Sequence, residues 1–385
     1  MKNLMQTLSE MHDQRYARTM NDLFARKIPC GMFFPFYALQ ARVNQAIGMK
    51  NAGINLQCIC VLSEPQKSTL QSEGIPILTL KEFSELESKP KVMFCSSNLP
   101  ECAFDDCFRR MGVDTLYLED VREMESKYEN ICRHLGDIFE VYQLLEDEES
   151  RAAYRACLKG RVSGREKDFR YAAEPQYWLE PFTPVDGDIA IDGGAYDGAT
   201  SIDFASRGAT VYAFEMDQGN YQQTLPRAEK YNFTLENMGL SISEQDAFYI
   251  SGGAASSMLD QHRGGGEKIA RFIDIDTYVK RRELPRIDYV KLDIEGAELD
   301  CLKGAAKSII RWKPKMAISA YHKPEDLWTL ALYVKSLRPD YEFAFRHYRI
   351  DCRDYVLTDE QRNVLKQLGL SFFVANGCEM VLYCK

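Results

Sequence analysis

A glycine-rich loop between two short apolar segments is the most informative stretch of this 385-residue chain. Residues 189–191 form an apolar run behind an Asp-Gly turn, which is typical of a buried parallel strand. The loop at residues 192–198 holds three glycines, and glycine allows a ligand to approach the backbone closely. A helix is predicted over residues 200–205, so that its N-terminal amides face this ligand. Glu215 ends the next predicted strand, where a carboxylate can accept hydrogen bonds from a ribose diol.

The spacing within this loop distinguishes between cofactors. A dinucleotide fingerprint reads G-x-G-x-x-G. This loop instead reads Asp192-x-Gly194-x-x-x-Gly198, and Ala195 stands where that fingerprint requires glycine. The loop resembles motif I of class I methyltransferases, which use S-adenosylmethionine (SAM). Because SAM has a ribose but no pyrophosphate, a wider loop that begins with an acid suits it. A bare α/β turn without a ligand is the alternative, and the glycines with two well-placed acids argue against it.

Three segments together resemble the FkbM family of SAM-dependent methyltransferases. They are residues 191–198, residues 212–215 and residues 288–298, the last of which contains Lys-x-Asp-x-Glu-Gly-x-Glu. The resemblance covers roughly residues 179–350 and departs from the family at Met216, where proline usually follows the acid. It implies O-methylation with SAM as the cofactor, often of a glycan or natural-product hydroxyl. It does not name the acceptor.

Candidate cofactor-binding residues follow from the position of ligands in α/β sheets. Such ligands bind beyond the carboxyl ends of the strands, at the point where the strand order reverses. In the methyltransferase topology that point lies between the first and fourth strands. We expect Glu215 to bind the ribose hydroxyls, the glycine loop to shape the methionine site, and the turn at residues 237–241 to flank the adenine. The candidates are Asp192, Gly193, Gly194, Ala195, Gly198, Glu215, Asn237 and Gly239.

Candidate catalytic residues follow the fourth and fifth predicted strands of the same sheet. Asp293 is the leading candidate for the general base or for orienting the acceptor, and the alternative is that it caps the following helix. Glu295 is grouped with it. His322 ends the fifth strand, and the pKa of histidine near neutrality suits a base, although a lone histidine is more often structural. His347, which ends the sixth strand, is a weaker candidate.

No metal is assigned to this site. A magnesium ion held by Asp293 and another oxygen ligand is conceivable, but no carboxylate cluster in the sequence demands it. The chain has 12 scattered cysteines and no pair of C-x-x-C knuckles, which argues against zinc. Cys58 and Cys60 lie in one predicted strand and should point to the same face. The cysteines therefore suggest reduced core thiols in a cytoplasmic protein.

The domain organisation is predicted to be α/β throughout. Residues 1–120 alternate strands with helices, as in a smaller Rossmann-like domain, but bulky residues replace the glycine loop. We expect a scaffolding role for this domain, or sugar-nucleotide binding through Glu64. Residues 121–178 form a helical connector that could cover the active site. Residues 179–385 form the class I methyltransferase sheet, with residues 233–240 as its third strand and an antiparallel edge hairpin at its end.

Composition limits the partners. A net charge of −9 and a pI near 5.3 argue against binding to nucleic acid, which requires a positively charged surface. No stretch approaches the ~20 apolar residues of a spanning helix, and residues 1–15 lack the apolar run of a signal peptide. The expected partner is a small-molecule or glycan acceptor, and a homo-oligomer is compatible with the sequence.

Two other functions compete with methyl transfer. One is an NAD-dependent reductase or epimerase of nucleotide sugars, against which the missing G-x-G-x-x-G counts. The other is a non-catalytic scaffold with a SAM-type fold whose first domain recruits a partner. The residues do not specify the acceptor, the methylated position or the oligomeric state.

Overall fold

The chain divides into two compact units. The first comprises residues 1–134, 155–171 and 349–378, and the second comprises residues 135–154, 172–348 and 379–385. The predicted domain boundaries at residues 120 and 178 stay a prediction. The computed structural model describes residues 2–11, 23, 25, 27–34, 39–94, 104–117, 128–163, 168–250, 257–258, 268–351, 363, 366–367, 373–374 and 379–385.

A five-stranded parallel sheet forms the first unit, with the strand order β3-β2-β1-β4-β5. This order confirms the predicted Rossmann-like unit. Residues 35–38, where the sequence lacks a glycine loop, lie outside the described residues. The strands are β1 (Cys30–Phe34), β2 (Leu56–Val61), β3 (Ile77–Thr79), β4 (Lys91–Phe94) and β5 (Thr115–Tyr117), and the helices are Lys2–Met11, Leu39–Asn51, Glu64–Ser68, Leu80–Ser84 and Asp105–Arg110.

The core of this unit explains its cysteines. Cys58 and Cys60 of β2 belong to one cluster with Phe33 of β1, so their side chains share a face as predicted. Burial raises the pKa of the Cys58 thiol to about 11, so this thiol stays protonated near neutral pH. Glu64, the candidate ligand of a sugar nucleotide, begins a short helix and lies 3.5 Å from Lys67.

A seven-stranded sheet forms the second unit, with the order β15-β18-β14-β13-β6-β7-β8. Strand β18 is antiparallel to both of its neighbours, and the other pairs are parallel. This arrangement confirms the predicted sheet with an antiparallel pair at its edge. The strands are β6 (Ile189–Gly193), β7 (Thr210–Phe214), β8 (Thr234–Glu236), β13 (Tyr289–Leu292), β14 (Lys315–Ser319), β15 (Phe343–His347) and β18 (Met380–Cys384).

The predicted third strand at residues 233–240 is divided between two sheets. Its first part is β8, and its last two residues pair with β12 in a separate four-stranded sheet of order β11-β10-β12-β9. A fourth sheet of two strands pairs β16 with β17 in the first unit. These strands are β9 (Gly239–Leu240), β10 (Gln245–Ile250), β11 (Ser257–Met258), β12 (Lys268–Ile273), β16 (Ile350–Asp351) and β17 (Phe373–Val374).

Helices cover the main sheet and leave its central strands buried. All four residues of β13 are buried, as expected for a parallel strand that is covered on both faces. Phe204 packs edge-on against Tyr289 of this strand, with ring centroids 5.1 Å apart. In the described part of the chain, no helix has both the length and the apolar character needed to cross a membrane. The helices are Leu135–Leu144, Glu148–Ser163, Ala199–Ser206, Gln218–Tyr231, Ile275–Arg281, Glu298–Gly304, Ala306–Trp312 and Asp326–Leu337, and the unit boundary falls within Glu148–Ser163.

Candidate functional site

The candidate site lies at the carboxyl edge of the seven-stranded sheet. Strands β6 and β13 are parallel neighbours, and Gly193 at the end of β6 pairs with Leu292 at the end of β13. The loops that follow them, residues 194–198 and residues 293–297, therefore meet at one edge. Asp192 and Gly193, which the sequence placed in the glycine loop, are the last two residues of β6. From β6 the chain continues to β7, toward one edge of the sheet, and from β13 it continues to β14, toward the other edge. This follows because β7 and β14 lie on either side of the β13–β6 pair. This is the point of strand reversal that the sequence predicted.

The glycine loop contains a position that only glycine fits. Gly194 has a φ of +78°, and a Cβ atom at this position would lie 1.9 Å from the carbonyl oxygen of Asp293. The N–H groups of Gly194 and Ala195 both donate to the carbonyl oxygen of Phe214, at 3.0 and 2.9 Å. Gly198 has a φ of +79° and precedes the helix Ala199–Ser206. The loop is therefore held against β7 on one side and against the Asp293 loop on the other.

Asp192 supports this loop from inside the protein. Its side chain is fully buried, with Oδ1 3.0 Å from the Nζ of Lys291 and Oδ2 accepting a 2.5 Å hydrogen bond from Ser201. Lys291 also donates to the carbonyl oxygens of Gly193 and Gly194, at 3.0 and 2.8 Å. Burial lowers the pKa of Lys291, but the neighbouring carboxylates, Asp192 first, raise it by more. Asp192 thus acts on the loop through Lys291 and the backbone.

Glu215 connects the glycine loop to the end of β7. The side chain is buried, and its two oxygens accept hydrogen bonds from the N–H groups of Tyr196 and Asp217, both at 2.8 Å. Burial raises the pKa of this carboxyl, and the two backbone hydrogen bonds offset part of the rise. The side chain of Asn220 also bonds to this carboxyl. Because a carboxylate has about four acceptor positions, Glu215 keeps capacity for a hydrogen bond from a ribose hydroxyl.

The turn after β8 contains two candidate cofactor-binding residues, Asn237 and Gly239, and brings one of them to Glu215. The Asn237 side chain donates to the carbonyl oxygen of Glu215 at 3.0 Å, so this residue stands beside the acid. Gly239 lies in β9, where a Cβ atom would come 2.4 Å from the ring of Phe272. The small size of Gly239 is therefore explained by packing against β12.

Asp293 lies between two tyrosine hydroxyl groups. Its Oδ2 accepts a 3.0 Å hydrogen bond from Tyr177, and its Oδ1 accepts a 3.2 Å bond from Tyr321. Burial raises the pKa of Asp293, but the positive charges of Lys291 and His322 lower it by more, and the net pKa is lowered. Asp293 is therefore ionised near neutral pH.

Glu298, rather than Asp293, accepts the backbone amides that follow β13. Its Oε1 accepts hydrogen bonds from the N–H groups of Ile294 and Gly296, at 2.9 and 3.4 Å. The same oxygen lies 2.9 Å from the Nδ1 of His322. Glu298 is fully buried, so it fixes the loop and the histidine together.

His322 is surrounded by carboxylates. Its side chain is only 8% exposed, and Nε2 lies 3.5 Å from Glu295 Oε2 and 3.6 Å from Asp293 Oδ1. Burial lowers the pKa of His322, but Glu295, Glu298 and Asp293 raise it to about 11. The imidazole therefore carries its proton near neutral pH and is poorly suited to accept another.

Four residues reach the site without having been selected from the sequence. Tyr177 and Gln176 come from the segment expected to connect the domains, Tyr321 follows β14, and Glu379 precedes β18. Gln176 donates to Glu379 Oε2 at 2.5 Å, and the hydroxyl of Tyr321 lies 3.4 Å from Glu379 Oε1. Burial, with the negative charge of Asp293, raises the pKa of Glu379 to about 7. In the sequence, the position of Glu379 directly before the predicted final antiparallel strand was the one feature that could have identified it as a site residue.

A group of possible metal ligands overlaps this cluster. Asp293, Glu298 and His322 each offer a ligand atom, and in the described part of the chain these atoms lie within 4.8 Å of one another. Metal binding requires a deprotonated imidazole, whereas His322 is paired with carboxylates that favour its protonated form. The group fits an ion-paired histidine, and the expectation of no metal stays a prediction. His347 lies in β15, which β18 separates from β14.

A family model matches part of the second half of the chain, and a curated relative matches about a third of the chain. Residues 192–369 match the model of the Methyltransferase FkbM domain, which confirms the resemblance found in the sequence. The Hexuronic acid methyltransferase AglP of Haloferax volcanii is 27% identical over 124 residues. That match covers 32% of this chain and 52% of the relative, so it spans about half the relative's length.

A solved structure has the fold of the whole chain. The FkbM methyltransferase of Methylobacillus flagellatus KT is similar with a TM-score of 0.68 and 19% sequence identity. The similarity covers 100% of this chain and 98% of that one. At this identity the likeness concerns the fold alone.

Proposed function

We propose that this chain, in which residues 192–369 match the model of the Methyltransferase FkbM domain, is a SAM-dependent O-methyltransferase. Its acceptor would be a hydroxyl group of a sugar, a glycan or a related small molecule. The observation that carries the proposal is the position of Glu215. This acid lies buried at the carboxyl end of β7 and is hydrogen-bonded to the backbone of the glycine loop. A cytoplasmic location and a homo-oligomeric state stay predictions.

The residues at the sheet edge fit SAM better than a dinucleotide. Glu215 would hold the ribose hydroxyls, the backbone of residues 193–195 would hold the methionine portion, and Asn237 would stand beside the adenine. Gly194 packs too tightly against Asp293 for any side chain, and this closeness brings the loop to the same point as the candidate catalytic residues. SAM supplies an electrophilic methyl group bound to a sulfonium.

The polar groups beside the loop can receive a hydroxylated acceptor. Asp293 is ionised and held by the hydroxyl groups of Tyr177 and Tyr321, so it can accept a hydrogen bond from a sugar hydroxyl and orient it. The protonated His322 offsets the negative charge of the carboxylates around it. The similarity to a relative named as a hexuronic acid methyltransferase supports a sugar acceptor.

Isothermal titration with S-adenosylhomocysteine tests the cofactor. We expect micromolar binding to the wild type and a loss of about 10- to 100-fold in Glu215→Ala, since a hydrogen bond to a charged group contributes about 1.5–3 kcal/mol. Glu244→Ala is the matched control, because Glu244 is an acid that pairs with Arg271 of β12 and with Arg281 of the following helix. The control should bind as the wild type does.

Two other ligands, NAD and a nucleotide sugar, decide between the competing functions. Heat from either, without binding of S-adenosylhomocysteine, would exclude the methyltransferase and favour a reductase or epimerase. Binding of S-adenosylhomocysteine without methyl transfer to any of a panel of free sugars, glycosides and nucleotide sugars would favour a non-catalytic scaffold.

A further inference from the structure

Glu379 lies at the same sheet edge as the candidate catalytic residues because of the direction of β18. This strand is antiparallel to β14, so Ser319 at the end of β14 pairs with Val381 near the start of β18. The N–H of Ala320 donates to the carbonyl oxygen of Met380 at 2.7 Å. The residue before β18 therefore sits where β14 ends, beside Tyr321.

Two carboxyl groups share the hydroxyl of Tyr321. This hydroxyl lies 3.2 Å from Asp293 Oδ1 and 3.4 Å from Glu379 Oε1. Gln176 donates to the other oxygen of Glu379, which fixes the orientation of the carboxyl. Two acids held this close cannot both ionise as freely as isolated ones.

The backbone at Glu379 is also unusual. Its φ is +56°, in the left-handed region that costs a non-glycine residue free energy. Such conformations are retained where the surroundings impose them, and they cluster at functional sites. Here the backbone at Glu379 is held from its carboxyl side, because the carbonyl oxygen of Glu379 accepts from the N–H of Tyr348 at 3.0 Å.

We propose that Glu379, rather than Asp293, removes the proton from the acceptor hydroxyl in the methyl transfer. This inference rests on the proposed function. The O–H bond of the acceptor breaks and its proton passes to the Glu379 carboxylate. The acceptor oxygen bonds to the methyl carbon, and the electron pair of the broken carbon–sulfur bond stays on sulfur. The sulfonium and the carboxylate both become neutral, so the charges balance.

The different environments of the two acids support this division of roles. Asp293 has a lowered pKa and stays ionised, whereas Glu379 has a pKa raised to about 7. A general base is most effective when its pKa lies near the working pH, and two acids whose pKa values are pushed apart have separate roles. The groups that face Glu379 are Asp293, His322, Tyr177, Tyr321 and the amide of Gln176.

The first test measures methyl transfer by the full chain with SAM and methyl β-D-glucuronide, a hexuronic acid glycoside with free hydroxyls. Glu379→Gln keeps the shape of the side chain and its hydrogen-bonding neighbours. We expect it to lower kcat by about 100- to 10,000-fold and to abolish the rise of kcat with pH near pH 7. S-adenosylhomocysteine should bind as tightly as to the wild type. Asp293→Asn should retain a rise because Glu379 is still present, but the rise should move to lower pH because the charge of Asp293 no longer raises the pKa of Glu379.

The second test does not require the acceptor to be known. Infrared difference spectra of the wild type loaded with S-adenosylhomocysteine should show a protonated carboxyl that titrates near pH 7 and is missing from Glu379→Gln. Wild-type turnover in Glu379→Gln, or the absence of this titration, would overturn the inference. If S-adenosylhomocysteine binds and Glu379 does not titrate, only this inference fails. If S-adenosylhomocysteine does not bind, the proposed function itself fails.

Discussion

Lys291 and Asp192 form a buried ion pair between two neighbouring strands, with Nζ and Oδ1 3.0 Å apart and side chains 3% and 0% exposed. They are directly paired residues of β13 and β6. The ammonium also binds two carbonyl oxygens of the glycine loop. The lysine of one sequence motif thus neutralises the acid of the other and holds the loop that the acid begins.

Replacing Lys291 with methionine should destabilise the protein strongly. The change leaves Asp192 charged and buried without its partner, which typically costs about 3–5 kcal/mol. Urea denaturation measures the change in the free energy of unfolding. Lys303→Met is the matched control, since Lys303 pairs with Asp300 at 2.9 Å but both side chains are 40% exposed. The control should change stability by no more than about 1 kcal/mol, and equal losses in the two variants would contradict the role given to the buried pair.

Replacing Gly194 with alanine should impair both stability and binding of S-adenosylhomocysteine. Alanine would be strained at this φ, and its Cβ would also overlap the carbonyl oxygen of Asp293. Gly187→Ala is the matched control, because Gly187 has a φ of +82° but nothing within 4 Å of its Cβ position. We expect a loss of about 1–2 kcal/mol in the control from backbone strain alone. Thermal denaturation and calorimetric titration should show a larger loss in Gly194→Ala, with binding weakened about tenfold or more.

The stabilisation by His322 should depend on pH. The pKa of His322 in the folded protein is about 11, above the ordinary value of 6.5, so the folded state binds the proton more tightly than the unfolded state. The contribution is therefore complete below about pH 6.5 and is lost as the pH rises toward 11. Urea denaturation of the wild type and His322→Gln should give a difference in unfolding free energy that shrinks between pH 6 and pH 9.5. A difference that grows with pH would mean that the folded protein holds His322 neutral.

The strand, loop and acid around Glu215 were predictable because their signals are local. An apolar run, glycines and the spacing to the next acid lie within one short stretch, and β6 and β7 form where that stretch placed them. The third strand was predicted too long. Asn237 donates to the carbonyl oxygen of Glu215, and the chain then leaves the main sheet for the small one. The sequence does not contain a local signal for that side-chain contact.

The catalytic cluster was harder to predict because it depends on contacts between distant residues. His322 was expected as a base on the ordinary pKa of histidine, but three carboxylates from the segment after β13 surround it in the folded protein. Tyr177 lies more than a hundred positions from Asp293 and comes from a segment with no motif. Glu379 reaches the site only because the last strand is inserted antiparallel between two others.

The insertion of β18 between β14 and β15 also constrains how a ribosome-bound chain can fold. Strand β15 is made before β18, yet in the finished sheet its ladder partner is β18. Until residues 380–384 emerge from the ribosome, β15 cannot pair with β18. An apolar strand without its partner is prone to associate with other chains. Translation that slows between residues 347 and 380 should therefore increase aggregation of the nascent protein. The ladder between β14 and β15 is thus completed by the strand of this sheet that is synthesised last.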